Sequence, residues 1–345
     1  MTAAPRQPRT ISTGLEGTSE SPVRVPLELR IEAAARLIGD AAGAKSAAAR
    51  RMLAIAAAQN IDLSLMWGVG PRNEGGQLTG IRQACLLVPG SGHTAMLLVS
   101  QPIAGETANP AQHAAERVAC IRAACEAARA PSWGRAKINL FQALPDPQEY
   151  WAADAFTAAG FRSVGDLSYM RRGLERIDPR DAEQTWPAGV VVRNVQGVRP
   201  GEADRDRVIA ALDRSYIDTL DCPELCGLRA TGDVLDSHRS TGHFDPAFWW
   251  LVLLEGEPHG CMFFSHAPEL ASVELVYLGL SPALRGRGVA SLLMRMGMAR
   301  VAQLPVEQIT CAVDLRNGPA LRLYERLGFE RSGRRTAMVL QATRS

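Results

Sequence analysis

Val273-Glu274-Leu275-Val276-Tyr277-Leu278-Gly279-Leu280-Ser281-Pro282-Ala283-Leu284-Arg285-Gly286-Arg287-Gly288-Val289-Ala290-Ser291-Leu292-Leu293-Met294 decides the reading of this chain. The apolar, β-branched run at its start predicts a strand that ends at Leu280. Ser281-Pro282 turns the chain, because proline fixes φ and removes a backbone donor. The glycine-rich run Arg285 to Ala290 leads into an apolar helical pattern over about 287–303. Strand, turn, glycine loop and helix in that order aim free N–H groups at one point, and the positive end of the helix dipole adds attraction for an anion. Gly286 and Gly288 let the backbone approach a ligand closely, and Ala290 keeps the helix start small enough to pack on a sheet. Arg285 and Arg287 carry the charge that pairs with phosphate oxygens. An isolated Gly-x-Gly would be an ordinary helix start. The patterned strand before it and helix after it favour a phosphate loop.

Outward from the loop, the apolar spacing predicts a strand at Glu307 to Val313, a helix at Gly318 to Leu327 and a strand at Phe329 to Leu340. Upstream lie strands at Val190 to Val195, Phe248 to Leu254 and Gly260 to Ser265. A helix starts after the polar run 201–204 and carries Val208, Ile209, Leu212 and Tyr216, and an irregular, partly helical stretch covers 218–245. The first half shows nearly the same order. Helices fit 29–38, 42–59, 111–129 and 148–159; strands fit 63–69, 81–88, 94–101, 137–142 and 162–173. One stretch repeats at the level of residues: Phe156-Thr157-Ala158-Ala159-Gly160-Phe161 aligns with Tyr324-Glu325-Arg326-Leu327-Gly328-Phe329 at a single constant offset. In both, a helix ends at a glycine suited to the left-handed cap, and a phenylalanine opens the next strand. The expected architecture is α/β, with a mixed sheet in each of two tandem domains, 23–174 and 190–345. A linker at 175–189 joins them, and a disordered tail covers 1–22.

Residues 273–329 resemble the GNAT superfamily of N-acetyltransferases. Arg285, Gly288 and Ala290 match its Gln/Arg-x-x-Gly-x-Gly/Ala loop, and Asn317, Ala320, Tyr324, Gly328 and Phe329 match its downstream pattern. The resemblance implies acetyl-CoA as acyl donor; Cys222 and Cys226 could hold a metal with His238 or His243, but without a second ligand pair at zinc spacing they read as two thiols near a turn, and no metal is expected. Arg285, Gly286, Arg287, Gly288, Val289 and Ala290 then bind the pyrophosphate. The strand backbone at Tyr277, Leu278 and Leu280 binds the pantetheine arm between two splayed strands. Asn317 contacts the cofactor, although asparagine is also a favoured helix cap. Tyr324 stands where the family places the acid that protonates the coenzyme A sulfur. Glu274 lies close to where related histone acetyltransferases place a base. An edge-facing or salt-bridged glutamate explains Glu274 equally well at this stage.

The implied reaction is transfer of an acetyl group to a primary amine of a small molecule or peptide, by direct attack in a ternary complex. A non-catalytic acetyl-CoA sensor is the alternative, and release of free thiol separates the two. The acceptor side is expected over Tyr216 to Arg239 and around His243 to Phe248, with Asp218, Asp221 and Glu224 able to attract a cation. Trp249 and Trp250 fit core positions better than a ligand cage.

The first half departs from the pattern where chemistry needs it. Pro102-Ile103-Ala104-Gly105-Glu106-Thr107-Ala108-Asn109-Pro110 holds no Arg-x-x-Gly-x-Gly, Glu106 would repel a phosphate, and Phe156 replaces the tyrosine. This half reads as a degenerate copy. A tandem pair with one degenerate half resembles the mycothiol synthase type of architecture within the superfamily, but no acceptor-binding residue can be matched.

Composition narrows the class. The 345 residues are 46% apolar and 21% charged, with a net charge of +2, which gives no general affinity for nucleic acid. No apolar run is long enough for a membrane helix, and the N-terminus lacks the apolar stretch of a secretory signal. The seven cysteines form no Cys-x-x-Cys and fit buried thiols in a reducing compartment. The expectation is a cytoplasmic protein with no membrane or nucleic-acid partner, monomeric with an intramolecular pseudo-dimer.

Overall fold

Two copies of one element series follow each other along the chain, and their last strands change places. The computed structural model describes residues 21–103, 109–175 and 177–342. The expected tail up to residue 20, Glu106 and Arg176 lie outside the described residues.

The first copy runs β1 (Val23–Arg24), α1 (Arg30–Leu37), α2 (Ala47–Ala58), β2 (Met66–Val69), β3 (Gln83–Gly90), β4 (Thr94–Val99), α3 (Pro110–Arg129), β5 (Leu140–Ala143), α4 (Tyr150–Ala158) and β6 (Arg162–Gly173). The second runs β7 (Val190–Asn194), α5 (Arg205–Tyr216), α6 (Thr231–Arg239), β8 (Trp249–Leu254), β9 (Glu257–Ala267), β10 (Ser272–Leu280), α7 (Val289–Val301), β11 (Gln308–Asp314), α8 (Gly318–Arg326) and β12 (Glu330–Gln341). Most elements lie where periodicity places them. The expected helix at 42–59 begins later, because Ser46 caps it by accepting from the Ala49 amide at 2.8 Å. The expected strand at 63–69 starts only at Met66, because Asp62 caps a short 3-10 turn over Leu63–Leu65.

All twelve strands form one sheet, in the order β1-β2-β3-β4-β5-β12-β6-β11-β10-β9-β8-β7. The order is palindromic. The closing strand of the first copy, β6, pairs with β11 of the second, and β12 pairs with β5 of the first. β6 and β12 run antiparallel beside each other at the centre, Tyr169 opposite Gly333 and Ser168 opposite Arg334. The exchange is also a trade of core residues. Met170 on β6 packs into the core of the second copy with Leu293, Val313 and Tyr324, while Met338 on β12 packs into that of the first with Phe141, Ile121 and Phe156. It leaves no bare strand edge between the copies.

The segment between the copies is a packed strap. Ile177 and Trp186 lie against the core of the second copy, Arg300 on α7 reaches the Ala182 carbonyl, and Arg287 reaches that of Ala188 at 3.3 Å. Across the molecule, the β3–β4 turn docks on α6. Ser237 donates to the Ser91 carbonyl at 2.8 Å, Arg229 to the Gly92 carbonyl at 3.2 Å, and His93 meets Asp233 at 3.1 Å.

Candidate active site

β10 and β11 run parallel and paired from Ser272–Gln308 to Leu275–Cys311. Beyond that point no pairing between them is present among the described residues, although β10 continues to Leu280 and β11 to Asp314. The strands part like a fork, and β10 turns an unladdered backbone edge toward the gap. A bulge between Leu275 and Tyr277, against β9, accompanies the parting. It places Val276 and Tyr277 with the same cluster of α5, β8 and β9 side chains, while Leu278 and Leu280 face the α7 side.

The fork opens toward the N-terminus of α7. Gly288 caps this helix at φ 77° and ψ −6° with no side-chain cap, and Gly286 has φ 73°. Both sit in the left-handed region that glycine tolerates best. A β-carbon at either position would meet no protein atom within 4 Å, so the space over the loop is open. The first amide of the helix to be bonded is that of Ser291, to the Gly288 carbonyl at 3.0 Å. The amides of Val289 and Ala290 precede it and have no intrahelical acceptor. Val289 is buried beneath the loop and Ala290 packs beside it. The corresponding helix of the first copy, α3, differs in kind. Asn109 closes its N-terminus by accepting from the Gln112 amide at 3.2 Å, and Pro110 removes a donor.

Arg285 is placed differently from the expectation that its side chain pairs with phosphate. Its guanidinium donates to three backbone carbonyls, those of Leu280 at 3.0 Å, Asp218 at 3.1 Å and Ser215 at 2.9 Å. It braces the loop to the end of α5. The sequence pattern marks the residue, but only the surrounding carbonyls decide what the fork of donors holds.

Tyr324 points from α8 into the core and is 6% exposed, its ring 5.6 Å from that of Phe329. Burial drives its phenol well above the ordinary value, and nearby Cys311 and Asp221 add to the effect. It therefore stays protonated at neutral pH and has a proton to give. Glu274 lies half-buried on β10, opposite Ser265 on β9 and Thr310 on β11. Desolvation raises its carboxyl above the usual range, and it makes no ion pair among the described residues. The salt-bridged alternative is thus not what the structure holds. The Cys311 thiol, pushed up to about 12 by burial, also feels Glu274 and Asp221.

The acceptor-side acids divide. Glu224 is paired with Arg316, whose Nη1 and Nη2 approach it at 2.6 and 2.8 Å, so it is not free for a cation. Asp218 contributes its carbonyl to Arg285. Asp221 accepts from the Asp314 amide at 2.9 Å, and the Asp314 carbonyl accepts from the Asn317 amide at 2.9 Å. Asn317 also caps α8, its Oδ1 accepting from the Ala320 amide at 3.3 Å. Its side chain is therefore used within the protein. Tyr277 is fixed by its hydroxyl, 2.7 Å from Ser215 Oγ, which leaves its main chain for the fork. Trp249 stacks on Phe263 at 3.8 Å in the core, and Trp250 lies edge-on to Phe264 at 6.2 Å in its own cluster. Periodicity gave no sign of the Asp314–Arg316–Glu224 network. Its one legible trace is Gly165, which faces it from β6.

A family model for the acetyltransferase (GNAT) family matches residues 217–329, from the end of α5 through the phosphate loop to Phe329. The mycothiol acetyltransferase of Rhodococcus erythropolis is 31% identical over 176 residues, 49% of this chain and 55% of that protein. The mycothiol acetyltransferase of Thermomonospora curvata is 31% identical over 206 residues, 57% of this chain and 65% of that protein. The chain thus spans between about half and two thirds of the length of these relatives. A GCN5-related N-acetyltransferase from Sphaerobacter thermophilus superposes over 93% of this chain and 95% of its own, with a TM-score of 0.58 at 19% identity, a likeness of fold. Fork, open helix cap and family match fall on the same residues: 217–329 carry a domain that matches the acetyltransferase (GNAT) family.

Proposed function

We propose that this protein is an N-acetyltransferase that moves an acetyl group from acetyl-CoA to a primary amine of a small molecule or peptide, within a ternary complex. The observation that carries the reading is the contrast between two helix N-termini in one chain: Gly288 leaves that of α7 open over a parted pair of strands, and Asn109 closes that of α3. The first copy is then the degenerate domain, 23–174, and the second the catalytic one, 190–345.

The residues fit the donor. The amides at Val289 and Ala290 and the open space over Gly286 and Gly288 suit a pyrophosphate, with Arg287 at the rim and Arg285 holding the loop in shape. The unladdered edge of β10 at Tyr277, Leu278 and Leu280 offers the donors and acceptors that an amide-bearing arm requires. Bound acetyl-CoA supplies an activated acyl thioester. Glu274 takes the proton of the acceptor ammonium, whose pKa near ~10.4 would otherwise keep it unreactive at neutral pH. Tyr324 holds a proton at its hydroxyl for the departing thiolate.

The acceptor enters from the side of α5, α6 and the docked β3–β4 turn, so the degenerate copy shapes the acceptor site. We take the molecule to act as a cytoplasmic monomer whose two halves supply each other's partner. Among the described residues no helix is long and apolar enough to cross a membrane. The test is a panel of primary amines read by free coenzyme A release, with amines related to mycothiol included because of the matching relatives. Thiol release with one amine class supports the reading. Coenzyme A binding without release across the panel makes the protein a sensor.

A further inference from the structure

The segment that follows α5 is held at both ends by groups of the candidate site, and its own backbone is strained. Asp218 and Cys222 have φ of 51° and 44°, conformations costly for residues other than glycine. At its start, Arg285 of the phosphate loop donates to the Ser215 and Asp218 carbonyls at 2.9 and 3.1 Å. At its end, Asp221 and Asp314 tie the segment to the end of β11. The Asp314 amide donates to Asp221 at 2.9 Å, and the Cys222 amide returns a bond to Asp314 Oδ2 at 3.0 Å. The Asn317 amide in turn donates to the Asp314 carbonyl at 2.9 Å, and Asn317 caps α8. Tyr324 lies on that helix.

We propose that Asp221 is a positioning residue, and that Arg285, the 215–222 segment, Asp221 and Asn317 form a mechanical link through which an occupied phosphate loop fixes α8 and with it Tyr324. The inference rests on the acetyl-CoA reading of the loop. The brace joins the three carbonyls only while the loop keeps its shape, because a planar guanidinium must face Leu280, Asp218 and Ser215 at once. A pyrophosphate on the neighbouring amides holds that shape. The strained segment then has one arrangement, and Asp221 meets the corner between β11 and α8. An unoccupied loop lacks that added restraint, so the brace then stands alone against the strain of the segment. Donor binding would thereby precede formation of a productive Tyr324 geometry.

The experiment is hydrogen exchange on the full chain, with and without saturating coenzyme A, in the wild type, Arg285→Lys, Asp221→Asn and Asp221→Ala. Lysine keeps the charge but cannot bridge three carbonyls, and asparagine keeps the acceptor oxygen for the Asp314 amide. Coenzyme A is expected to slow exchange of 217–222 and 318–326 by about tenfold in the wild type, an ordinary size for coupling between sites. In Arg285→Lys the ligand still protects the loop at 286–291, but the effect on 318–326 shrinks to under about twofold. Asp221→Asn retains most of the effect, and Asp221→Ala loses it. Equal protection of 318–326 in wild type and Arg285→Lys, both with a protected loop, overturns the link. No protection of 286–291 in the wild type overturns the acetyl-CoA reading instead, so the two failures are distinct. Loss of the effect in Asp221→Asn as severe as in Asp221→Ala refutes the role given to the acceptor oxygen.

Discussion

Tyr324 and Phe156 occupy the same place in the two copies. The amide of Phe329 donates to the Tyr324 carbonyl at 3.0 Å, and that of Phe161 to the Phe156 carbonyl at 2.9 Å. The paired rings lie 5.6 and 5.1 Å apart, and glycines of positive φ, Gly328 and Gly160, stand between them. One copy therefore shows that phenylalanine is structurally acceptable at this position. Tyr324→Phe should keep the melting temperature within a few degrees while turnover at saturating substrate falls roughly 10²–10⁴-fold, the usual size of a lost proton donor. Unchanged turnover would remove Tyr324 from the mechanism.

Glu274 should give kcat/KM an acidic limb above the ordinary carboxylate range, because burial raises its pKa. In Glu274→Gln that limb and most of the activity should vanish; a retained limb assigns the base elsewhere. The stability effect has a definite sign. A carboxyl raised by folding contributes fully below its unfolded value, and the contribution is lost as pH rises through the folded value. Glu274→Gln should therefore gain stability relative to wild type as pH rises to neutral, as measured by thermal unfolding at several pH values.

Gly288→Ala tests the open helix cap. No protein atom obstructs the added carbon, so the penalty is backbone strain of about 1–2 kcal/mol together with intrusion on the space over the loop. Calorimetry should find coenzyme A bound at least about tenfold more weakly, a loss of roughly 1.4 kcal/mol. Unchanged affinity would mean that the anion does not sit there.

Gly92→Ala tests the docking of the first copy on the second. Its β-carbon would run into the Asp233 carbonyl on α6, at a φ of 67° that already disfavours alanine. Denaturant unfolding should show a loss of about 2–4 kcal/mol, from overpacking and left-handed strain combined. KM for the amine should rise more than KM for acetyl-CoA, because the clash lies on the acceptor side.

Strand exchange makes the halves interdependent. Fragments cut within 175–189 and expressed apart should aggregate or stay unfolded, since each keeps a closing strand that belongs beside the other's fifth. Expressed together, they should copurify. Independent, monomeric and folded fragments in a sizing column would contradict the exchanged sheet.

The sequence by itself determined the order of elements, the repeat, and the glycine loop between strand and helix. These depend on features local to a few residues: side-chain period, cap chemistry and the φ values that glycine alone takes easily. Even the missing loop of the first copy was legible. Tertiary structure alone decided which strand closes which half, because nothing local to β6 or β12 specifies whether β5 or β11 lies beside it. It alone turned Arg285 from an expected phosphate ligand into a brace, and tied Asp221 to Asp314 at the end of β11. A guanidinium or a carboxylate bonds to whatever lies within about 3 Å. Only the folded chain brings residues far apart in sequence to that distance.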